Sequence, residues 1–213
     1  MTDWTTVSAL ATGGGTLVLA VATFASVRSA NRAARVAERA LMTGLRPLLV
    51  PSKLDDGAQK VYFQGGDHVL LGGGKAIAQE QDGAILLAAS LRNAGSGLAV
   101  LHGWHVWTRR VTDERPPDTT PASEDFRRLQ RDLYVPAGDT GFWQGAFRDP
   151  GGQDYERARQ AIKDGETLTI DLLYGDNEGG QRIITRFILR PGEDGFLISS
   201  ATHHWNVDRP DPR

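Results

Sequence analysis

The segment His102-Gly-Trp-His-Val-Trp107 holds two of the five histidines and two of the five tryptophans, so it is the first place where residue types could do chemistry. Two imidazoles on one face could hold a metal or pass a proton. In a strand, alternate side chains share a face. That puts His102, Trp104 and Val106 on one side and Gly103, His105 and Trp107 on the other. The two histidines then point apart, and the neighbours His203 and His204 are separated by the same parity. A zinc site needs three or four converging ligands. This spacing supplies none, so no metal and no other cofactor is expected.

Other patterns also fall short of a catalytic site. Gly72-Gly-Gly-Lys75 suggests a phosphate-binding loop, but that motif needs a further glycine upstream and a hydroxyl directly after the lysine. Val69 and Ala76 stand at those positions. Ser96 in Asn93-Ala-Gly-Ser-Gly97 lacks the Gly-x-Ser-x-Gly spacing of a nucleophile elbow. Asp55-Asp56 and Glu124-Asp125 lie in polar stretches and read as solvated surface. Asp171 lies inside the apolar run Thr169-Ile-Asp-Leu-Leu173. A carboxylate there needs a partner if its face is buried, and Arg186 on the returning strand can supply one. That pair is structural, and no catalytic residue is assigned.

Tryptophan gives a different signal. Trp104, Trp107, Trp143 and Trp205 all fall on strand candidates and read as core, because aromatics bury large areas on a pleated surface. Trp143 is set apart by its setting, Gly141-Phe-Trp-Gln-Gly145, where flanking glycines would let a partner's backbone approach. Trp143 and Phe142 are therefore the candidate partner contacts, with Trp143 at least partly exposed.

Composition narrows the classes. The chain has 213 residues, 40% apolar and 23% charged, enough for a packed domain. Its formal net charge of −2 argues against a nucleic-acid partner. The absence of cysteine removes disulfide scaffolds, thiolate metal sites and cysteine nucleophiles.

The elements that must position these residues fall into an anchor and a body. No charged residue occurs from Trp4 to Val27, a stretch that spans roughly 36 Å as a helix and so exceeds a hydrocarbon core of about 30 Å. Seven Ser or Thr hydroxyls weaken its apolarity, but each can bond a backbone carbonyl one turn back. The first three residues carry no Lys or Arg, unlike a signal peptide, whereas Arg28, Arg32, Arg35, Arg39 and Arg46 follow the span. The positive-inside rule then places the body in the cytoplasm. Arg28, Arg32, Arg35 and Arg39 keep helical spacing and form a basic stripe, which reads either as the face of a solvated stalk or as a contact for lipid headgroups. Residues 1–27 read as tail and transmembrane helix, 28–45 as a basic juxtamembrane helix, 46–208 as a β domain and 209–213 as a tail.

Nine or ten short strands are expected in the body, with one helix over 154–164. Ala84–Leu91 and Leu98–Arg109 read as a hairpin around Asn93-Ala-Gly-Ser-Gly97, and Glu166–Tyr174 and Gln181–Arg190 as another around Gly175–Gly180. Residues 111–125, with three prolines, read as a solvated loop. This density of strands predicts a β-sandwich.

The run Leu86–Ala99, with its Asn-x-Gly-x-Gly-x-Ala core, resembles the corresponding segment of immunoglobulin-like domains in bacterial single-span proteins. Leu173–Phe187 resembles their second hairpin. With the anchor, the chain is similar to uncharacterised membrane-anchored actinobacterial proteins, and 20 of its 24 basic residues are Arg, in keeping with a GC-rich genome. The resemblance implies an immunoglobulin-like sandwich and no activity. The expected function is a membrane-tethered cytoplasmic binding or scaffold module for an unknown protein partner. The alternatives are a membrane-tethered enzyme with a His-containing pocket and an extracellular envelope binding domain.

Overall fold

The computed structural model describes residues 3–63, 66, 68–107, 119–192 and 194–209. The chain divides between Gly44 and Leu45 into an N-terminal helix and a β-rich body.

Helix α1 runs unbroken over Trp4–Gly44 and is long and apolar enough to cross a membrane, with a mean hydropathy of 1.7 over its most apolar 18 residues. Gly13, Gly14 and Gly15 sit in its interior, where each would cost about 1 kcal/mol relative to Ala in water. In lipid the helix keeps every backbone group bonded within itself, so that cost is outweighed. The hydroxyls behave as expected: Thr12 donates to the Ser8 carbonyl at 2.9 Å and Thr16 to the Thr12 carbonyl at 2.8 Å.

The body is mainly β, with strands making up 42% of the described residues. Its elements are β1 (Leu49–Pro51), β2 (Gln59–Tyr62), β3 (His68–Leu71), β4 (Lys75–Gln81), β5 (Ala84–Asn93) and β6 (Ala99–Trp107), then β7 (Arg127–Val135), β8 (Thr140–Phe147), helix α2 (Gln153–Lys163), β9 (Leu168–Gly175), β10 (Ile183–Pro191) and β11 (Leu197–Asn206). Residues 108–118, most of the expected loop, lie outside the described set, as does the end of the expected strand Lys60–Gln64.

Nine of these strands form one curled antiparallel sheet. One half is β8–β5 with β4 and β1 side by side on the far edge of β5. The other is β11–β10–β9–β6–β7. The halves join where β11 pairs with β4 over only two positions, Leu197↔Ala76 and Ile198↔Lys75. Between them lies the main core, including Leu87 and Leu91 of β5, Trp104 of β6, Trp143 of β8, Ile170 and Tyr174 of β9 and Phe187 of β10. Helix α2 adds Tyr155, Ala158 and Ala161, and its Asp154 and Lys163 suit the helix dipole at opposite ends. The β2–β3 hairpin covers the other face of β4 and β5 through Val61, Phe63 and Leu71.

The hairpin expected between Ala84–Leu91 and Leu98–Arg109 does not form. Both edges of β5 are already occupied, by β1 and β4 on one side and β8 on the other, so β6 crosses to the opposite half and pairs with β7 and β9. The β9–β10 hairpin forms as expected, with Arg186 opposite Asp171.

The crossing is held by Asn93, which is fully buried. Its amide donates to the carbonyls of Gly97 at 2.7 Å and Val135 at 2.9 Å. Its side-chain oxygen accepts from the N–H groups of Leu48 at 3.1 Å and Gly95 at 3.0 Å. Its backbone N–H donates to Asp139, and its carbonyl accepts from Gly138. One residue thus ties the entry to β1, the β5–β6 crossing, the end of β7 and the β7–β8 turn. Gly97 is required here, since a Cβ on it would lie 1.7 Å from the Leu45 carbonyl oxygen. Beside it, the Tyr174 hydroxyl accepts from Leu49 N–H at 3.0 Å and pairs with Thr185 at 2.8 Å, and burial pushes its pKa up to about 12.

Replacing Asn93 leaves four inward-facing backbone groups without their partner, and each such group costs about 1–3 kcal/mol. Asn93→Ala is therefore expected to destabilise the body by at least about 3 kcal/mol. Urea unfolding followed by tryptophan fluorescence reads this out, and a loss under about 1 kcal/mol contradicts the assigned role.

Candidate functional site

The structure corrects the expectation for Trp143. It is fully buried, with its ring 5.5 Å from Trp104 in an edge-on contact, and presents no surface. The flanking glycines make room for the chain's own core: a Cβ on Gly145 would lie 2.8 Å from the Trp104 ring, and one on Gly141 2.9 Å from Val135. Phe142, one position away and facing outward, is half-buried against the cluster beneath the β2–β3 hairpin.

The parity argument for the histidines also fails at one point. Leu101 pairs with Tyr174 and Gly103 with Leu173, so His102 is an extra residue in a bulge. Leu101 and Trp104 both face the main core, and His102 lies with Gly103 and His105 on the outer face. Its Nε2 stands 3.0 Å from where a Cβ on Gly175 would be. Burial, then the Arg182 charge, lower its pKa against the opposing pull of Asp132 and Asp176. Among the described residues, no three His, Asp or Glu side chains gather as metal ligands.

The outer face of β6, β9, β10 and β11 carries the Asp171–Arg186 pair. Asp171 is fully buried and Arg186 nearly so. Arg186 Nε donates to Oδ1 at 2.7 Å and a terminal guanidinium nitrogen to Oδ2 at 2.8 Å, while Trp107 Nε1 donates to Oδ2 at 2.5 Å. The guanidinium carbon lies 5.2 Å from the Trp107 ring centre and 4.9 Å from that of Trp205. His105 Nδ1 stands 4.0 Å from Oδ2, too far for a hydrogen bond. Burial pushes the Asp171 carboxyl up, but hydrogen bonds and charge from Arg186 and the indole bond outweigh it and hold the carboxyl below its usual range. With both charges paired with each other and the guanidinium between the two rings, this cluster pins the sheet.

An exposed cluster of arginines lies elsewhere. Among the described residues β7 pairs only with β6 and β8 only with β5, and between these two strands, joined by Pro136–Asp139, lies a cleft of about 350 Å³. Arg127, Arg128, Arg131 and Arg148 line it, with Leu129 and Leu133 as its apolar floor. Tyr62 and Trp104 contribute aromatic surface. Arg127 is paired with Asp154 at 2.5 Å and lies over Phe147 at 5.0 Å. Arg131 donates to Gln144 across the gap at 2.8 Å. Among the described residues, no carboxylate forms an ion pair with Arg128, Arg131 or Arg148. Such an array can hold an anion by charge-assisted hydrogen bonds.

None of these four arginines was among the expected partner contacts, which were Trp143 and Phe142. The alternation Arg127-x-Leu129-x-Arg131-x-Leu133 was the available signal. Arg148 joins only through the turn at Pro136–Asp139. Set against known proteins, the chain matches no protein-family model, no curated protein and no solved structure.

The Asp171 pair generates a pH prediction. A carboxyl held below its unfolded value of about 3.9 stabilises the fold above that pH, and the contribution is lost as pH falls through the folded value. Asp171→Asn strands a buried guanidinium and is expected to cost about 3–5 kcal/mol near neutrality. The deficit relative to wild type should shrink below about pH 4 in urea titrations. A deficit that is constant with pH contradicts the assignment.

Proposed function

We propose that this protein is a membrane-tethered binding module whose arginine-lined cleft captures an anionic segment of a protein partner. The single observation that carries this reading is the cleft between β7 and β8, where Arg128, Arg131 and Arg148 stand exposed without carboxylate partners beside an apolar floor. A volume of about 350 Å³ falls in the range of ordinary ligand sites. The net charge of −2 argues against nucleic acid as the target.

In the same reading, α1 makes a single pass and the body is cytoplasmic, supported by the five arginines that follow the uncharged stretch. Arg28, Arg32, Arg35 and Arg39, all exposed on α1, contact lipid headgroups. In this reading the body is a variant of the immunoglobulin-like sandwich of the membrane-anchored actinobacterial proteins that its motifs resemble, a reading supported by two halves of a curled sheet enclosing one core.

Two measurements test this. Full-length protein in neutral-lipid nanodiscs should bind polyglutamate with an affinity that falls as salt rises, and Arg128→Glu/Arg131→Glu should weaken it about tenfold or more, ~1.4 kcal/mol. Binding that ignores the double variant contradicts the assignment of the cleft. A reporter active only in the cytoplasm should work when fused after Arg213, and activity of an extracellular reporter there contradicts the orientation.

A further inference from the structure

We propose that the occupant of the cleft is an extended acidic peptide that adds as a strand to the open edge of β8; this rests on reading the cleft as the partner site. The two strands that border the gap differ in a way that assigns the edge. β7 reads Arg-Arg-Leu-Gln-Arg-Asp-Leu-Tyr-Val and carries four charges in nine residues, with Arg127 and Arg131 on the same face as the core residues Leu129, Leu133 and Val135. Inward-pointing charges on an edge strand deter pairing. β8 reads Thr-Gly-Phe-Trp-Gln-Gly-Ala-Phe and carries no charge, yet its side away from β5 is unpaired among the described residues. Its free N–H and C=O groups are therefore an unprotected template, and the arginines of β7 face whatever lies on it.

A strand laid along β8 turns alternate side chains to the sheet face on which Arg127 lies. Carboxylates at those positions meet Arg127 and Arg131, and Arg148 lies just beyond the end of β8. Arg131 now donates to the neutral Gln144 amide oxygen at 2.8 Å, a bond that a carboxylate replaces with a stronger, charge-assisted one. Main-chain pairing supplies affinity and alternate side chains supply specificity, as in strand addition generally. A lipid headgroup would use the guanidinium groups but neither the open backbone edge nor the apolar floor of Leu129 and Leu133. Both observations favour a peptide over a membrane surface.

The test uses full-length protein in neutral-lipid nanodiscs and an alternating Glu-Thr decapeptide as probe. Two isomers carry the same charge, one N-methylated at every Glu and one at every Thr. In a strand, each set of N–H groups points to one edge. One isomer should bind like the parent, and the other at least tenfold more weakly. Arg131→Glu/Arg148→Glu should reject the Glu-Thr peptide and accept a Lys-Thr peptide, with unchanged tryptophan fluorescence showing an intact fold. If both isomers bind like the parent, strand addition is overturned and charge alone holds the anion. If both lose affinity equally, pairing through one edge is overturned. If anionic-lipid vesicles bind through the same arginines and the peptide does not, the peptide assignment is overturned. Should polyglutamate also fail to bind, the reading of the cleft falls with it.

Discussion

The body depends on the hydrogen-bonding geometry of Asn93. Four side-chain bonds and two backbone bonds converge on one buried residue where four separate segments meet. An amide is suited to this because it offers two donors and an acceptor with two lone pairs in one plane. Aspartate would offer no donor and leucine nothing at all. The surrounding glycines follow from the same crowding, since the chain entering from Leu45 passes where side chains on Gly95 and Gly97 would sit.

From that node the sheet can curl but not close. Asn93 fixes the end of β7 and the turn into β8, so both strands start from one point and then follow different partners, β6 and β5. The gap between them is the consequence of β5 having no edge to spare. An open seam invites edge-to-edge association, and β7 answers it with arginines. The same charges that guard the seam make it receptive to carboxylates, and this dual character connects the architecture to the proposed role. On the far side, the Asp171–Arg186 pair with Trp107 and Trp205 holds the five-stranded half rigid, so the cleft is built on fixed walls.

Much of the element pattern was legible in the sequence. The helix expected over 154–164 forms as Gln153–Lys163, and the buried partner of Asp171 was expected because an acid inside an apolar strand has few solutions. The pairing of β5 was not legible: a strand buried on both faces needs two neighbours, and a short glycine loop carries no information about which strands those are. Parity failed at His102 because a bulge adds a residue without a sequence mark. Trp143 misled because glycines that admit a partner and glycines that admit a neighbouring indole look alike in one dimension. The cleft was least legible, since Arg128 and Arg148 meet only through the turn between them.

The central claim is that β7 and β8 are unpaired neighbours bordering an open cleft. Residue-resolved amide hydrogen exchange over 127–147 tests it most directly. Alternate amides of β8 and of the paired ends of β7, 127–128 and 133–135, should be protected by β5 or β6 while the intervening ones and residues 129–132 exchange fast, and the Asn93 amide should be among the slowest in the body. Uniform protection along both strands would mean that they pair with each other, that the seam is closed, and that the account is wrong.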